Sequence, residues 1–201
     1  MKRGMDAFRR EVVNLPNGIT IGRLFLIPPV LVLMGSDETW RNVLASLLFA
    51  TASGLDVLDG YLARKQGLVT VFGKFVDPLA DKLMAMAVMI YLVALDALAP
   101  WIVVIMLGRD LYINGLRQIS AERGVVIAAG SGGKAKTAIQ LIGLCCVLVR
   151  ARWDIPGLPI ALDFTWIGLA LIYIAVVLSI TSAIQYTFGF GHALRNQSAE
   201  H

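Results

Sequence analysis

Long apolar runs separated by short polar breaks dominate this sequence. The runs cover about 19–34, 42–56, 73–95, 99–118, 136–149 and 164–188. A helix needs about 20 residues to cross the hydrocarbon core of a bilayer. The pattern therefore predicts an all-α fold, an integral membrane bundle of six transmembrane helices.

The polar breaks are short and no internal repeat is visible, so we expect residues 1–201 to form a single domain. Residues 1–14 are basic and place Met5, Phe8 and Val12 at helical spacing. This pattern is typical of a short amphipathic N-terminal helix on an anionic membrane surface, although a solvated terminus would fit equally well. Residues 189–201 are interpreted as a polar tail.

Composition supports the membrane interpretation. Hydrophobic residues make up 57% of the chain and charged residues 16%, whereas soluble domains are about half apolar and a quarter charged. This excludes a soluble globular enzyme, a disordered chain and a fibre. The net charge of +4 favours anionic headgroups or substrates, and no nucleic-acid-binding motif is present. Adjacent Cys145 and Cys146 suit neither a disulfide framework nor a zinc site.

The distribution of basic residues predicts the orientation in the membrane. With a cytoplasmic N-terminus, only Arg41, Arg150 and Arg152 fall on the outer side, and the other 15 of the 18 Lys and Arg residues lie on or near the cytoplasmic side. Cytoplasmic loops of membrane proteins are enriched in Lys and Arg. We therefore expect a multi-pass membrane protein with both termini in the cytoplasm.

Four aspartates lie where apolar residues are expected, namely Asp56, Asp59, Asp77 and Asp81. Carboxylates near hydrocarbon are costly, so they indicate a functional site. Spacings of three and four residues place each pair on one helix face. The small residues Gly60, Ala63 and Gly73 continue these faces and would let a helix or ligand approach the backbone.

Four converging carboxylates repel one another and require cations. Oxygen ligands without His or Cys favour Mg²⁺, Mn²⁺ or Ca²⁺, and two bridged metals would explain the need for four carboxylates. Such a site suits phosphoryl transfer. An ion pathway in a cation or proton transporter, and a structural ion-pair cluster with neighbouring basic residues, remain open alternatives at this point.

The same segment reads DxxDGxxAR, eight residues, then GxxxDxxxD, from Asp56 to Asp81. It resembles the signature of the CDP-alcohol phosphotransferases, with every signature position filled. Other segments within residues 14–140 resemble one branch, the bacterial phosphatidylglycerophosphate synthases. The resemblance implies a six-helix enzyme of the bacterial inner membrane, commonly a homodimer, with its active site on the cytoplasmic side. Such an enzyme transfers the phosphatidyl group of CDP-diacylglycerol to sn-glycerol 3-phosphate and releases CMP.

The resemblance also implies roles for the signature residues. The four aspartates would be ligands of two cofactor ions, either Mg²⁺ or Mn²⁺. Asp81 would also be the catalytic general base. Asp59 and the signature residues around it would hold the CDP-lipid: Gly60, Ala63, Arg64 and Gly73. A snorkelling interfacial arginine is the alternative for Arg64.

A second basic region bears on the acceptor. Residues 109–136 carry five Lys and Arg against two acidic residues, and Arg109 and Arg117 are eight residues apart, roughly on one helix face. Arginine matches phosphate geometry, so Arg109, Arg117 and Lys134 are our candidates for the acceptor phosphate. Glycerol 3-phosphate or inositol phosphate would fit, and cationic alcohols would not. Topology alone would account for some of these charges, Arg123 and Lys136 among them.

Overall fold

A computed structural model describes the backbone of residues 15–66, 71–122, 131–154 and 161–199, and most of the side chains within these ranges. The predicted amphipathic helix over residues 1–14 lies outside the described residues. The described elements are, in chain order, α1 (Leu15–Met34), α2 (Thr39–Gln66), α3 (Val71–Ala94), α4 (Pro100–Glu122), α5 (Ser131–Val149), β1 (Arg152–Asp154), β2 (Ala161–Asp163) and α6 (Phe164–Ala199).

The predicted helical class is confirmed, since each apolar run coincides with one described helix, with at most one residue outside it. The largest extensions beyond the runs are those of α2, which continues to Gln66 instead of ending near residue 56, and of α6, which continues to Ala199 through the expected polar tail. A helix is held by backbone hydrogen bonds and not by apolarity, so it can continue where hydropathy falls.

One segment of the described chain, Phe164–Ala193, is both long and apolar enough to cross a membrane by length and composition, and three shorter apolar segments accompany it. Six membrane crossings therefore stay a prediction.

Contacts between the helices define two ends of the bundle. Trp101 packs on Tyr173 at 5.9 Å between ring centroids, and further along Arg109 bonds Ser182, so α4 and α6 run parallel. The ends joined through residues 35–38, residues 95–99 and the antiparallel β1–β2 pair form what we call the hairpin end. The opposite end holds the last turns of α2 and the first turns of α3, and we call it the aspartate end.

All four tryptophans of the chain lie at the hairpin end and are exposed: Trp40, Trp101, Trp153 and Trp166. Trp153 on β1 packs edge-on against Phe164 at 5.4 Å. Tryptophan concentrates at membrane–water interfaces, where its ring is apolar and its N–H remains hydrated. The position of these side chains is typical of an interfacial belt.

The core of the bundle is apolar and buried. Its members come from α1 to α6 and include Val30, Phe49, Leu92, Met106, Leu144 and Ile172. The helices α5 and α6 make the most extensive helix pair. They approach closely at Gly143 and Gly168, where a Cβ built on Gly168 would lie 2.6 Å from the Gly143 carbonyl oxygen. Small residues of this kind let two helix backbones meet.

Candidate functional site

The backbone places both aspartate pairs at the aspartate end. Asp56 and Asp59 belong to the last three turns of α2, and Asp77 and Asp81 to the first three turns of α3. Both segments are helical, so the predicted spacings of three and four residues do correspond to shared helix faces. The side chains of all four aspartates lie outside the described residues, and their convergence stays a prediction.

The candidate residues for the CDP-lipid lie on the same two helices. Gly60, Ala63 and Arg64 follow Asp59 within α2, and Gly73 is near the start of α3. Five peptide steps separate Gln66 from Val71, which limits the distance between the two helix ends to about 18 Å. Nothing further is described of these side chains, so their roles stay predictions.

The donor chemistry of the signature fits a hard divalent cation. All four acidic positions offer carboxylate oxygens, and neither histidine nor cysteine belongs to the signature. Mg²⁺ and Mn²⁺ prefer oxygen ligands. The residue types therefore suit the expected ions, while the geometry of coordination is not among the described features.

A second cluster of charges joins three helices. Asp110 on α4 accepts hydrogen bonds from the Lys136 ammonium of α5, at 3.0 Å to each carboxylate oxygen. Its Oδ1 also accepts a hydrogen bond from Nη1 of Arg109 at 2.9 Å. The other terminal nitrogen of Arg109, Nη2, donates to the hydroxyl of Ser182 on α6 at 2.5 Å. This cluster of Arg109, Asp110, Lys136 and Ser182 is called the charge cluster below.

Lys136 corrects one of the sequence-based interpretations. We expected this residue to serve membrane topology, yet it is only 1% exposed and is ion-paired with Asp110. A buried ammonium is costly unless it is paired, so its position indicates more than topology. Lys134 was the expected phosphate ligand, and its side chain lies outside the described residues.

Arg117 shares the face of α4 that carries Arg109. Its guanidinium lies 5.7 Å from the ring centroid of Tyr186 on α6, one helical turn beyond Ser182. The predicted common face of the two arginines is therefore confirmed, since both reach α6. Arg117 is exposed, whereas Arg109 has 15% of its side chain exposed, so Arg117 is the more accessible of the two.

Sequence reasoning gave no site role to Arg23, which is 4% exposed on α1. It lies two turns from the start of this helix, and α1 packs against both α2 and α3, the helices that carry the aspartates. A buried charge inside an apolar bundle is a functional-site candidate by default. Its position among the apolar residues of the first run is the signal that could have identified it.

Comparison with known proteins places these features in a family. A model of the CDP-alcohol phosphatidyltransferase family matches residues 13–181, which extends past the 14–140 segment recognised from the sequence. The chain is 38% identical over 186 residues to the CDP-diacylglycerol–glycerol-3-phosphate 3-phosphatidyltransferase of Bacillus subtilis, covering 86% of this chain and 93% of that protein.

Two further relatives carry the same description. The protein of Rickettsia typhi is 35% identical over 173 residues, which cover 86% of this chain and 94% of the relative. The second phosphatidyltransferase of this description in Arabidopsis thaliana is 32% identical over 190 residues, covering 88% and 79%. The signature on α2 and α3 and the family match over most of the chain agree: the chain belongs to the CDP-alcohol phosphatidyltransferase family.

Proposed function

We propose that this enzyme transfers the phosphatidyl group of CDP-diacylglycerol to sn-glycerol 3-phosphate, forming phosphatidylglycerophosphate and CMP. The relatives named above support both substrates. Among the described residues, the observation that carries the proposal is the charge cluster, because its two cations outnumber its one carboxylate. An acceptor that brings its own phosphate suits a positive site beside the aspartate-bearing helices, whereas a cationic alcohol does not.

The aspartates are proposed to hold the metal and the diphosphate. Asp56, Asp59 and Asp77 would be metal ligands, with Asp81 contributing to a second Mg²⁺ or Mn²⁺ ion. When bound, such ions neutralise phosphate oxygens and make the phosphorus a better electrophile. The small residues Gly60, Ala63 and Gly73 would leave room for the cytidine and its phosphates, and Arg64 would donate to a phosphate oxygen.

The transfer is a substitution at phosphorus. The 1-hydroxyl oxygen of glycerol 3-phosphate forms a bond to the phosphorus that carries diacylglycerol. The bond from that phosphorus to the bridging oxygen breaks, and the electron pair leaves with CMP. The hydroxyl proton passes to the Asp81 carboxylate, which is proposed as the general base. A carboxylate can act in this way when the hydroxyl is positioned and its oxygen is polarised.

The acceptor phosphate is proposed to bind at the basic face formed by α4 and the start of α5. Arg109, Arg117 and Lys134 are the residues proposed from the sequence, and the buried ammonium of Lys136 supports adding it to this set. Nε of Arg109 is buried and has no acceptor among the described atoms. A guanidinium with an unused, preoriented donor suits a multidentate anion such as phosphate.

A membrane location with the site facing the cytoplasm is also proposed. The apolar segment Phe164–Ala193 and the exposed tryptophans of the hairpin end support residence in a bilayer. The excess of Lys and Arg predicted for the opposite side supports the orientation. The soluble acceptor would then reach the aspartate end from the cytoplasm, while the CDP-lipid would enter from the bilayer. Homodimer formation is proposed from the family resemblance alone.

The test is CMP release by the purified full chain in detergent, with CDP-diacylglycerol and Mg²⁺. Glycerol 3-phosphate, inositol phosphate, serine and no acceptor are compared, each with and without a chelator. We expect release with glycerol 3-phosphate that chelation abolishes. Release with inositol phosphate instead would keep the chemistry and overturn the acceptor. No release with any acceptor, from folded protein that binds metal, would favour an ion transporter.

A further inference from the structure

Asp110 is the one carboxylate in the charge cluster, and it accepts hydrogen bonds from both of the cluster's cations. It accepts three hydrogen bonds, two from Lys136 and one from Arg109, while 22% of its side chain remains exposed. Hydrogen bonds between ionised groups are shorter and stronger than neutral ones and fix geometry. Asp110 therefore sets the relative position of two cations that come from different helices.

Arg109 is held at both terminal nitrogens. Nη1 donates to Asp110 on its own helix and Nη2 donates to Ser182 on α6. With these two bonds the guanidinium plane cannot rotate freely, and its remaining buried donor, Nε, has no acceptor among the described atoms. A guanidinium oriented by bonds to α4 and α6 thus presents one donor that no described atom accepts.

A negative charge beside a proposed anion site has two opposing effects. Asp110 repels an incoming phosphate, which weakens binding. It also keeps Lys136 and Arg109 in place, which spares the acceptor the entropic cost of ordering two long side chains on binding. Asp110 contributes one negative charge against the two cations that it holds, so its repulsion of an anion is smaller than the attraction of these two cations.

We propose that Asp110 is a positioning residue for the acceptor phosphate, holding the Lys136 ammonium and the Arg109 guanidinium in one arrangement into which the anion binds. This inference rests on the proposed function and deepens it. Asp110 does not touch the reacting atoms in this proposal. It acts through the two cations, so its loss affects the acceptor and leaves the CDP-lipid unaffected.

The experiment measures steady-state kinetics of CMP release for the full chain and three variants, with each substrate varied in turn. D110N keeps the size of the side chain and one acceptor but removes the charge. D110E keeps the charge and moves the carboxylate by about one C–C bond, roughly 1.5 Å. D37N alters an exposed carboxylate between α1 and α2 and serves as the matched control. Thermal unfolding accompanies each measurement.

We expect D110N and D110E each to raise the KM for glycerol 3-phosphate by about tenfold or more, the scale of one lost charge-assisted hydrogen bond. The KM for CDP-diacylglycerol and the behaviour of D37N should match the unmodified chain. D110N is expected to unfold at a lower temperature, because the buried Lys136 ammonium loses its ion pair with Asp110. D110E should retain most of the stability, so it decides the question if D110N does not fold.

Several results would overturn the proposal. An unchanged KM for the acceptor in D110E, or a lower one in D110N, would mean that the carboxylate only opposes the anion. Equal increases in both KM values, or failure of both variants to fold, would mean a purely structural ion pair. Absence of CMP release from the unmodified chain with glycerol 3-phosphate would instead contradict the proposed function, and the positioning role would fail with it.

Discussion

The two ends of the bundle differ in whether their charged side chains are exposed or buried. At the hairpin end, Asp37, Asp96 and Arg152 are exposed to the surroundings, and the tryptophans are exposed beside them. Toward the aspartate end, Lys136 and Arg23 are almost completely buried, and both signature pairs lie within helices. Burying a charge costs free energy unless it is paired.

We expect this difference to separate residues that stabilise the fold from those proposed to act in the reaction. The hairpin end is held by features that serve the fold: the capped start of α6, a helix-ending turn at Asp96 and the close contact of α5 with α6. The aspartate end retains charges that a purely structural bundle would not need. Changes at the hairpin end should therefore alter stability and spare the chemistry, whereas changes at the signature aspartates should mainly impair the chemistry.

The largest expected effect is on turnover, from a change at the aspartate end. Asp81→Asn should lower kcat by about 10²–10⁴-fold, the usual contribution of a general base, while the unfolding temperature stays close to that of the unmodified chain. Metal and nucleotide binding should remain largely intact. CMP release and equilibrium binding of CDP-diacylglycerol measure the two effects. An equal loss of lipid binding in Asp81→Asn and Asp56→Asn would contradict a base role.

The next effect is on stability, near the hairpin end. Gly168→Ala places a methyl group 2.6 Å from backbone atoms of α5, and overpacking of this kind costs about 1–3 kcal/mol. The free energy of unfolding should fall accordingly, with little change in kcat for the folded fraction. Gly191→Ala is the control, since nothing lies within 4 Å of a Cβ there. Equal stability of the two variants would argue against close packing of α5 and α6.

A smaller loss of stability is expected from a change at the start of α6. Asp163 Oδ1 accepts hydrogen bonds from the backbone N–H groups of Thr165 and Trp166, at 3.0 and 3.3 Å. Asp163→Ala should lower the free energy of unfolding by about 0.5–2 kcal/mol, the usual loss for a helix N-cap. Asp163→Asn should recover most of it, because asparagine caps equally well. Denaturant unfolding of the two variants distinguishes loss of the cap from loss of charge.

The smallest expected effect is a gain in stability at the end of α3. Asp96 has a φ of 54° after α3, where Ala97 N–H donates to Leu92 and Asp96 N–H to Val93, the bonding of a Schellman turn. Glycine adopts this conformation without the Cβ clash, so Asp96→Gly should raise the free energy of unfolding by up to about 1 kcal/mol. Asp96→Ala should give no gain. A destabilised glycine variant would mean that the aspartate side chain stabilises the turn.

Much of the helical framework was predictable from the sequence. Apolar runs located all six helices because burying apolar side chains drives their formation. The pairing of β1 with β2 was not predicted within the break at residues 150–163, since three-residue strands depend on partners across the hairpin more than on their own composition. The ends of α2 and α6 were also missed, because charged residues there lowered the hydropathy while the backbone hydrogen bonds continued.

The sequence alone determines the family signature and the spacing of its acidic residues, Asp56, Asp59, Asp77 and Asp81. Helical periodicity turns spacings of three and four into shared faces without any tertiary information. The burial of the Lys136 ammonium against the Asp110 carboxylate does not follow from the sequence. The two residues lie on different helices, and only the packing of α4, α5 and α6 brings the ammonium and the carboxylate together in a place where a buried charge needs a partner.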